Sequence, residues 1–186
     1  MIHRNQENYS SKITALVGHM AAPFIFNGNA MSFTLNFSTF STFIIGAISR
    51  IFELKNLSIN FSGFFQPNQD EMSVEMRKKL EESGLKILTN THLLGGVDRA
   101  LRLKFEGVYP SEIVSTTLRM FGQGIKVCVE ISVMAADAGL AKAGEDLIVI
   151  GGTGKGADTA AVINPSHSQN FFDTKIREVI CKPYNF

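Results

Sequence analysis

Asp146-Leu-Ile-Val-Ile-Gly-Gly-Thr-Gly-Lys-Gly-Ala-Asp-Thr-Ala-Ala-Val-Ile-Asn-Pro165 packs an apolar run, a glycine cluster and a second apolar run into close succession. Leu147 to Ile150 is short, continuous and β-branched, which fits a strand buried on both faces. Four glycines then fall between Gly151 and Gly156, where the backbone can turn tightly or approach a bound group. Thr159 to Ile163 returns as a second apolar segment, and Pro165 ends it. Open α/β sheets place ligands at the carboxyl ends of their strands, so this junction is a candidate site.

The cluster is not a Walker A loop. That motif needs Gly, four residues, then Gly-Lys-Ser/Thr. Here Gly156 follows Gly154-Lys155, and Val149 stands where the first glycine belongs. Two readings stay open from the loop alone. One is a nest of backbone N–H groups holding a phosphate with Lys155 nearby, which Asp158 opposes unless it caps a turn or binds a sugar or base donor. The other is a glycine-rich turn between two core strands.

The length of 186 residues is that of one domain, able to bury a single good core. Eighteen basic and 17 acidic residues leave a net charge of +1, which gives no electrostatic reason to expect nucleic acid or an anionic membrane. Cys128 and Cys181 both have apolar neighbours and read as reduced core residues of a cytoplasmic protein, with no metal-ligand spacing. No apolar run reaches membrane-spanning length, and no signal peptide is visible.

Residues 1–50 are atypical. Their charged side chains are Arg4, Glu7, Lys12 and Arg50, while phenylalanines crowd in at positions such as Phe33, Phe37, Phe40 and Phe43. Met31 to Phe37 alternates like a strand, and Ile44 to Leu54 has helical spacing that Ser41 or Thr42 can cap. The first thirty residues show no firm period. Further on, Asn56–Phe61 reads as a strand, Asp70–Glu82 as a helix stopped by Gly84, and Leu85–Thr89 as a strand. Strand–helix alternation of this kind implies parallel strands joined by crossover helices.

His92 sits just past that strand beside Gly95-Gly96, placed to bond a ligand or move a proton, or to serve as an ordinary structural histidine. Asp98 and Arg99 read as a surface pair. Pro110–Phe121 reads as a helix with Glu112 favoured by its dipole. Residues 125–138 alternate like a strand but run too long for one, so a helix is expected, buried in the domain or in an oligomer contact. Lys175–Lys182 is the last strand, with Arg177 and Glu178 marking an exposed edge.

These pieces resemble the small stand-alone proteins related to the C-terminal α/β domain of pyruvate kinase. The blocks that carry the likeness are Gly95-Gly-Val-Asp-Arg99, Ser115-Thr-Thr-Leu-Arg-Met-Phe-Gly-Gln-Gly-Ile-Lys-Val-Cys-Val-Glu130, Met134-Ala-Ala-Asp-Ala-Gly-Leu140, Ile150-Gly-Gly-Thr-Gly-Lys-Gly-Ala-Asp-Thr-Ala160 and Lys175-Ile-Arg-Glu-Val-Ile180. The resemblance runs from about Gly63 to the end. It implies an α/β fold, a three-layer α/β/α sandwich with a mostly parallel sheet and an antiparallel edge strand, built as a single domain over 1–186. It also implies that 125–138 is a helix.

By the same resemblance, Gly151, Gly152, Thr153, Gly156, Asp158 and Thr159 lie at a site for a phosphorylated ligand such as flavin mononucleotide (FMN), with Thr91 and His92 along its side. Ser41 and Thr42 belong to the nearest match for the family's phosphate-binding turn, with Phe43 where the family has glycine. Pyruvate kinase activity is not implied, because its catalytic residues lie on a barrel that needs roughly 250 residues by itself. The expected function is a small-molecule-binding domain. The alternatives are a small flavin-dependent enzyme using His92 and Asp158, or a structural, homo-oligomerising module with a vestigial site.

Overall fold

In the computed structural model, the described residues are 14–19, 57–61, 70, 72–153 and 156–186. Their elements in chain order are Thr14–His19 (β1), Leu57–Phe61 (β2), Val74–Glu82 (α1), Lys86–Asn90 (β3), Val97–Phe105 (α2), Pro110–Arg119 (α3), Gln123–Asp137 (α4), Leu147–Thr153 (β4), Gly156–Asn164 (β5) and Lys175–Cys181 (β6). Short 3-10 turns occupy Leu93–Gly95 and Ser168–Asp173. The strand read over 31–37 and the helix over 44–54 lie outside the described residues, as do Ser41 and Thr42.

The strands form one sheet in the order β3-β2-β1-β4-β5-β6. β1 pairs parallel with both β2 and β4, and β2 pairs parallel with β3. β4, β5 and β6 form a three-stranded antiparallel meander that contains the three longest strands. The expectation of a mostly parallel sheet with a single antiparallel edge strand is therefore corrected: the sheet is mixed. The cause lies in the connections. Thr153 pairs with Gly156, so only residues 154 and 155 separate β4 from β5, whereas a parallel crossover needs a dozen or more. The β5–β6 link, residues 165–174, is longer but holds one 3-10 turn and no crossover helix.

Alternation along β4 divides the core. Leu147 and Val149 face α4 and join Leu57, Ile59, Ala161 and Ile163 in the larger cluster. Ile150 points the other way and packs with Met72, Leu80, Leu85 and Ile87 beneath α1. α1 starts where Ser73 Oγ accepts the Met76 N–H at 3.2 Å, three residues inside the start read from Asp70. Asp70 serves the preceding turn, accepting from Met72 N–H at 2.9 Å. Gly84, at φ +83°, ends the helix where the sequence placed its stop.

α4 is a helix, and Gly124 to Ala136 are all buried. It touches β1, β4 and β5 on one side and α3 with both 3-10 turns on the other. Its apolar character all round is thus accounted for within the chain.

Candidate functional site

The glycine cluster builds a hairpin. Gly151, Gly152 and Thr153 end β4, while Gly156, Asp158 and Thr159 begin β5, with a bulge between Gly151 and Gly152. A Cβ on Gly152 would lie 1.9 Å from the Gly156 carbonyl oxygen, so glycine here serves the close approach of two backbones. Asp158 Oδ1 accepts the Thr159 hydroxyl at 2.7 Å. Thr159 is buried against Gly124, where a Cβ would meet Thr159 Oγ1 at 2.0 Å. Gly154 and Lys155 lie outside the described residues.

A hollow of about 310 Å³ opens instead beside Thr91 and His92, past the carboxyl end of β3. Gly95 and Gly96 form one side of it. Arg99 from α2, Arg119 from α3 and Lys126 from α4 bring three cationic side chains to its lining, and no carboxylate lines it. Arg119 is held in place: its Nη1 donates to Ser115 Oγ and its Nε to Gln123 Oε1, both at 2.7 Å. Two helices begin at the hollow, α2 after Gly96 and α4 at Gln123, and neither has a side-chain cap on its first N–H groups. Those groups and the positive dipole ends add to the cationic lining.

Beneath the hollow lies a buried charge cluster. Lys126 is 4% exposed and Glu130 is fully buried, and their side chains form an ion pair four residues apart on α4. Glu130 Oε1 also accepts the Leu94 N–H at 2.8 Å, and Oε2 lies 3.1 Å from His92 Nδ1. Burial alone would raise the Glu130 carboxyl. The His92 hydrogen bond and the Lys126 charge outweigh it and hold the group down to about 2. An ionised carboxylate only accepts, so His92 Nδ1 carries a hydrogen.

A second hollow, of about 400 Å³, lies on the other side of His92. Leu93, Val97 and Met134 give it apolar walls, and Asn90 and Asp137 give it polar ones. Asp137 Oδ1 accepts from Ser168 N–H at 2.9 Å and lies 3.4 Å from His167 Nδ1.

Of the residues expected at the site, Thr91 and His92 border both hollows, and the six hairpin residues line neither. Asp98 caps the start of α3 by accepting the Ser111 N–H at 2.7 Å, while Arg99 turns to the first hollow. Sequence reading missed Arg99, Arg119, Lys126, Glu130 and Asp137 as site residues. One signal was available: Lys126 and Glu130 are the two charged residues between Ile125 and Ala136, a stretch otherwise apolar but for Ser132, and a charge pair carried into a buried helix needs a reason.

Among the described residues, no cluster of three or more His, Cys, Asp or Glu side chains is arranged to hold a metal, and no helix is long and apolar enough to cross a membrane. No protein-family model matches the chain.

Proposed function

We propose that this protein is a binding domain for an anionic, phosphorylated small molecule whose phosphoryl group seats in the hollow beside His92. The observation that carries this reading is the convergence of Arg99, Arg119 and Lys126 on one hollow without a lining carboxylate. Glu130 offsets the Lys126 charge, so the positive character of the hollow rests on the arginines and the two helix N-termini, whose N–H groups can donate to an oxyanion. Arg119, oriented by Ser115 and Gln123, offers a planar fork suited to phosphate. The resemblance to the C-terminal α/β domain of pyruvate kinase supports the same ligand class, though through the hairpin rather than this hollow.

FMN is a candidate ligand. Its phosphate matches the lining chemistry. A volume of about 310 Å³ is at the small end for ligand sites, so a flavin ring would extend out of this hollow. Calorimetric titration with inorganic phosphate and with FMN tests the reading. Binding that weakens with added salt and falls at least tenfold in Arg119→Gln is expected. Equal, salt-insensitive behaviour of both proteins would remove the proposal.

A second reading, a small flavin-dependent enzyme, is favoured by one contact. His92 borders the hollow and is oriented by Glu130, the arrangement a proton-handling imidazole needs. Asp158 is engaged by Thr159 and lines neither hollow. Loss of flavin absorbance on addition of a nicotinamide donor would support this reading, and unchanged absorbance would count against it.

A further inference from the structure

Gln123, Lys126, Glu130, Met134 and Asp137 recur at intervals of three and four, so they form one stripe along α4. Gln123 and Lys126 line the first hollow, and Met134 and Asp137 line the second. Glu130 stands between them and holds His92, which borders both. One helix face thus floors both hollows. From Lys126 to Asp137 it extends about 16 Å at the α-helical rise.

The charges on this stripe run against the helix dipole. α4 has no acidic residue in its first turn and no basic residue in its last, while Lys126 lies near its positive end and Asp137 closes its negative end. The usual placement is the reverse. Glu130 neutralises Lys126, so the positive character at the first end comes from Arg119 and the helix N-terminus, and the negative character at the other from Asp137 and the helix C-terminus. The contacts to Asp137 from Ser168 and His167 both fall on Oδ1, which leaves Oδ2 for a further donor. Gly96 borders both hollows, and a Cβ there would meet only the His92 carbonyl oxygen at 3.8 Å. Glycine at this shared boundary leaves the space beside the His92 backbone free of a side chain.

We propose that the two hollows form one elongated site for a phosphate ester whose far end carries an ammonium or another strong hydrogen-bond donor, with the phosphate at Lys126 and the donor at Asp137. The proposal rests on the anion site described above. It adds that the middle of the ligand is apolar enough to lie on Leu93, Val97 and Met134. It also excludes a second phosphate at the far end, which Asp137 would repel.

The test is calorimetric titration with inorganic phosphate, octyl phosphate and 8-aminooctyl phosphate, the last two differing by the terminal ammonium. The amino ester is expected to bind about tenfold tighter than octyl phosphate, the order of one charge-assisted hydrogen bond. Asp137→Asn keeps the acceptor that Ser168 uses and should bring that ratio close to one. Gly96→Ile should weaken both long esters relative to inorganic phosphate. Equal affinities of the two esters for the unaltered protein would overturn the elongated site while phosphate binding, lost in Arg119→Gln, still upheld the anion site. Failure of inorganic phosphate and both esters to bind would overturn both.

Discussion

Lys126 and Glu130 form an ion pair inside a helix whose residues from Gly124 to Ala136 are all buried. An i,i+4 pair of this kind ordinarily lies on a solvated face, where it contributes little. Here the pair is buried in the floor of the hollow, which Lys126 helps to line, and the carboxylate also holds His92 and the Leu94 N–H.

Removing one partner should therefore cost far more than a surface pair would. Glu130→Gln strands the Lys126 charge in the interior, a loss of roughly 3–5 kcal/mol. Urea denaturation should show the midpoint falling with little change in slope. Lys126→Met added to Glu130→Gln removes the stranded charge and should recover part of the loss.

Acid should act on the same group. Glu130 is held at about 2, against an ordinary value of 4.5. Its folded pKa is depressed, so its contribution is fully present above about 4.5 and drains away as the pH falls toward 2. Stability followed by circular dichroism should decline across that window, and the decline should shrink in the Lys126→Met/Glu130→Gln double variant.

The hairpin should refuse a side chain at Gly152. A Cβ there would press on the Gly156 oxygen at 1.9 Å and the Ala157 Cα at 2.6 Å, both backbone atoms. Gly152→Ala must shift one strand and should cost at least about 1–3 kcal/mol. Gly144→Ala, at φ +85° with open space around it, should show the backbone penalty alone, roughly 1–2 kcal/mol. Thermal melts of the two variants would separate steric from conformational cost.

The two thiols should differ in reactivity. Cys128 is fully buried, and burial, reinforced by the Asp158 charge, pushes its thiol well above the usual range. Cys181 is exposed at the end of β6. A chromogenic disulfide reagent should titrate one thiol rapidly in the native protein and the second only on unfolding. Cys181→Ser should abolish the fast phase.

What the sequence showed depended on how each element buries its side chains. β4 and β5 were legible because Leu147–Ile150 and Thr159–Ile163 are apolar runs bounded by glycine and proline. α1 was legible from its glycine stop, though its cap was read at Asp70 instead of Ser73, and α3 was legible from its proline start. α2 was not read: it directly follows a glycine pair, and the structure leaves its Val97, Leu103 and Phe105 largely exposed. β1 was hidden in a segment without a firm period. The antiparallel half was misjudged because alternating strands and helices upstream were extended past α4, where the connections become too short to cross over. At the site, His92 stood out by its place at a strand end. Its partner Glu130 did not, because the pairing depends on α4 being buried rather than on any local motif.

β1 lies in the middle of the sheet yet comes first among the described strands, and its Thr14 pairs with Leu147. During synthesis it must wait for β4, beginning at Leu147, to emerge before its second neighbour exists. Closure through so distant a pairing is slow, since the entropy of a long loop is lost before any contact compensates for it. A chain halted before β4 would display an unsatisfied strand margin, the kind of surface that recruits chaperones or sticks to its own copies.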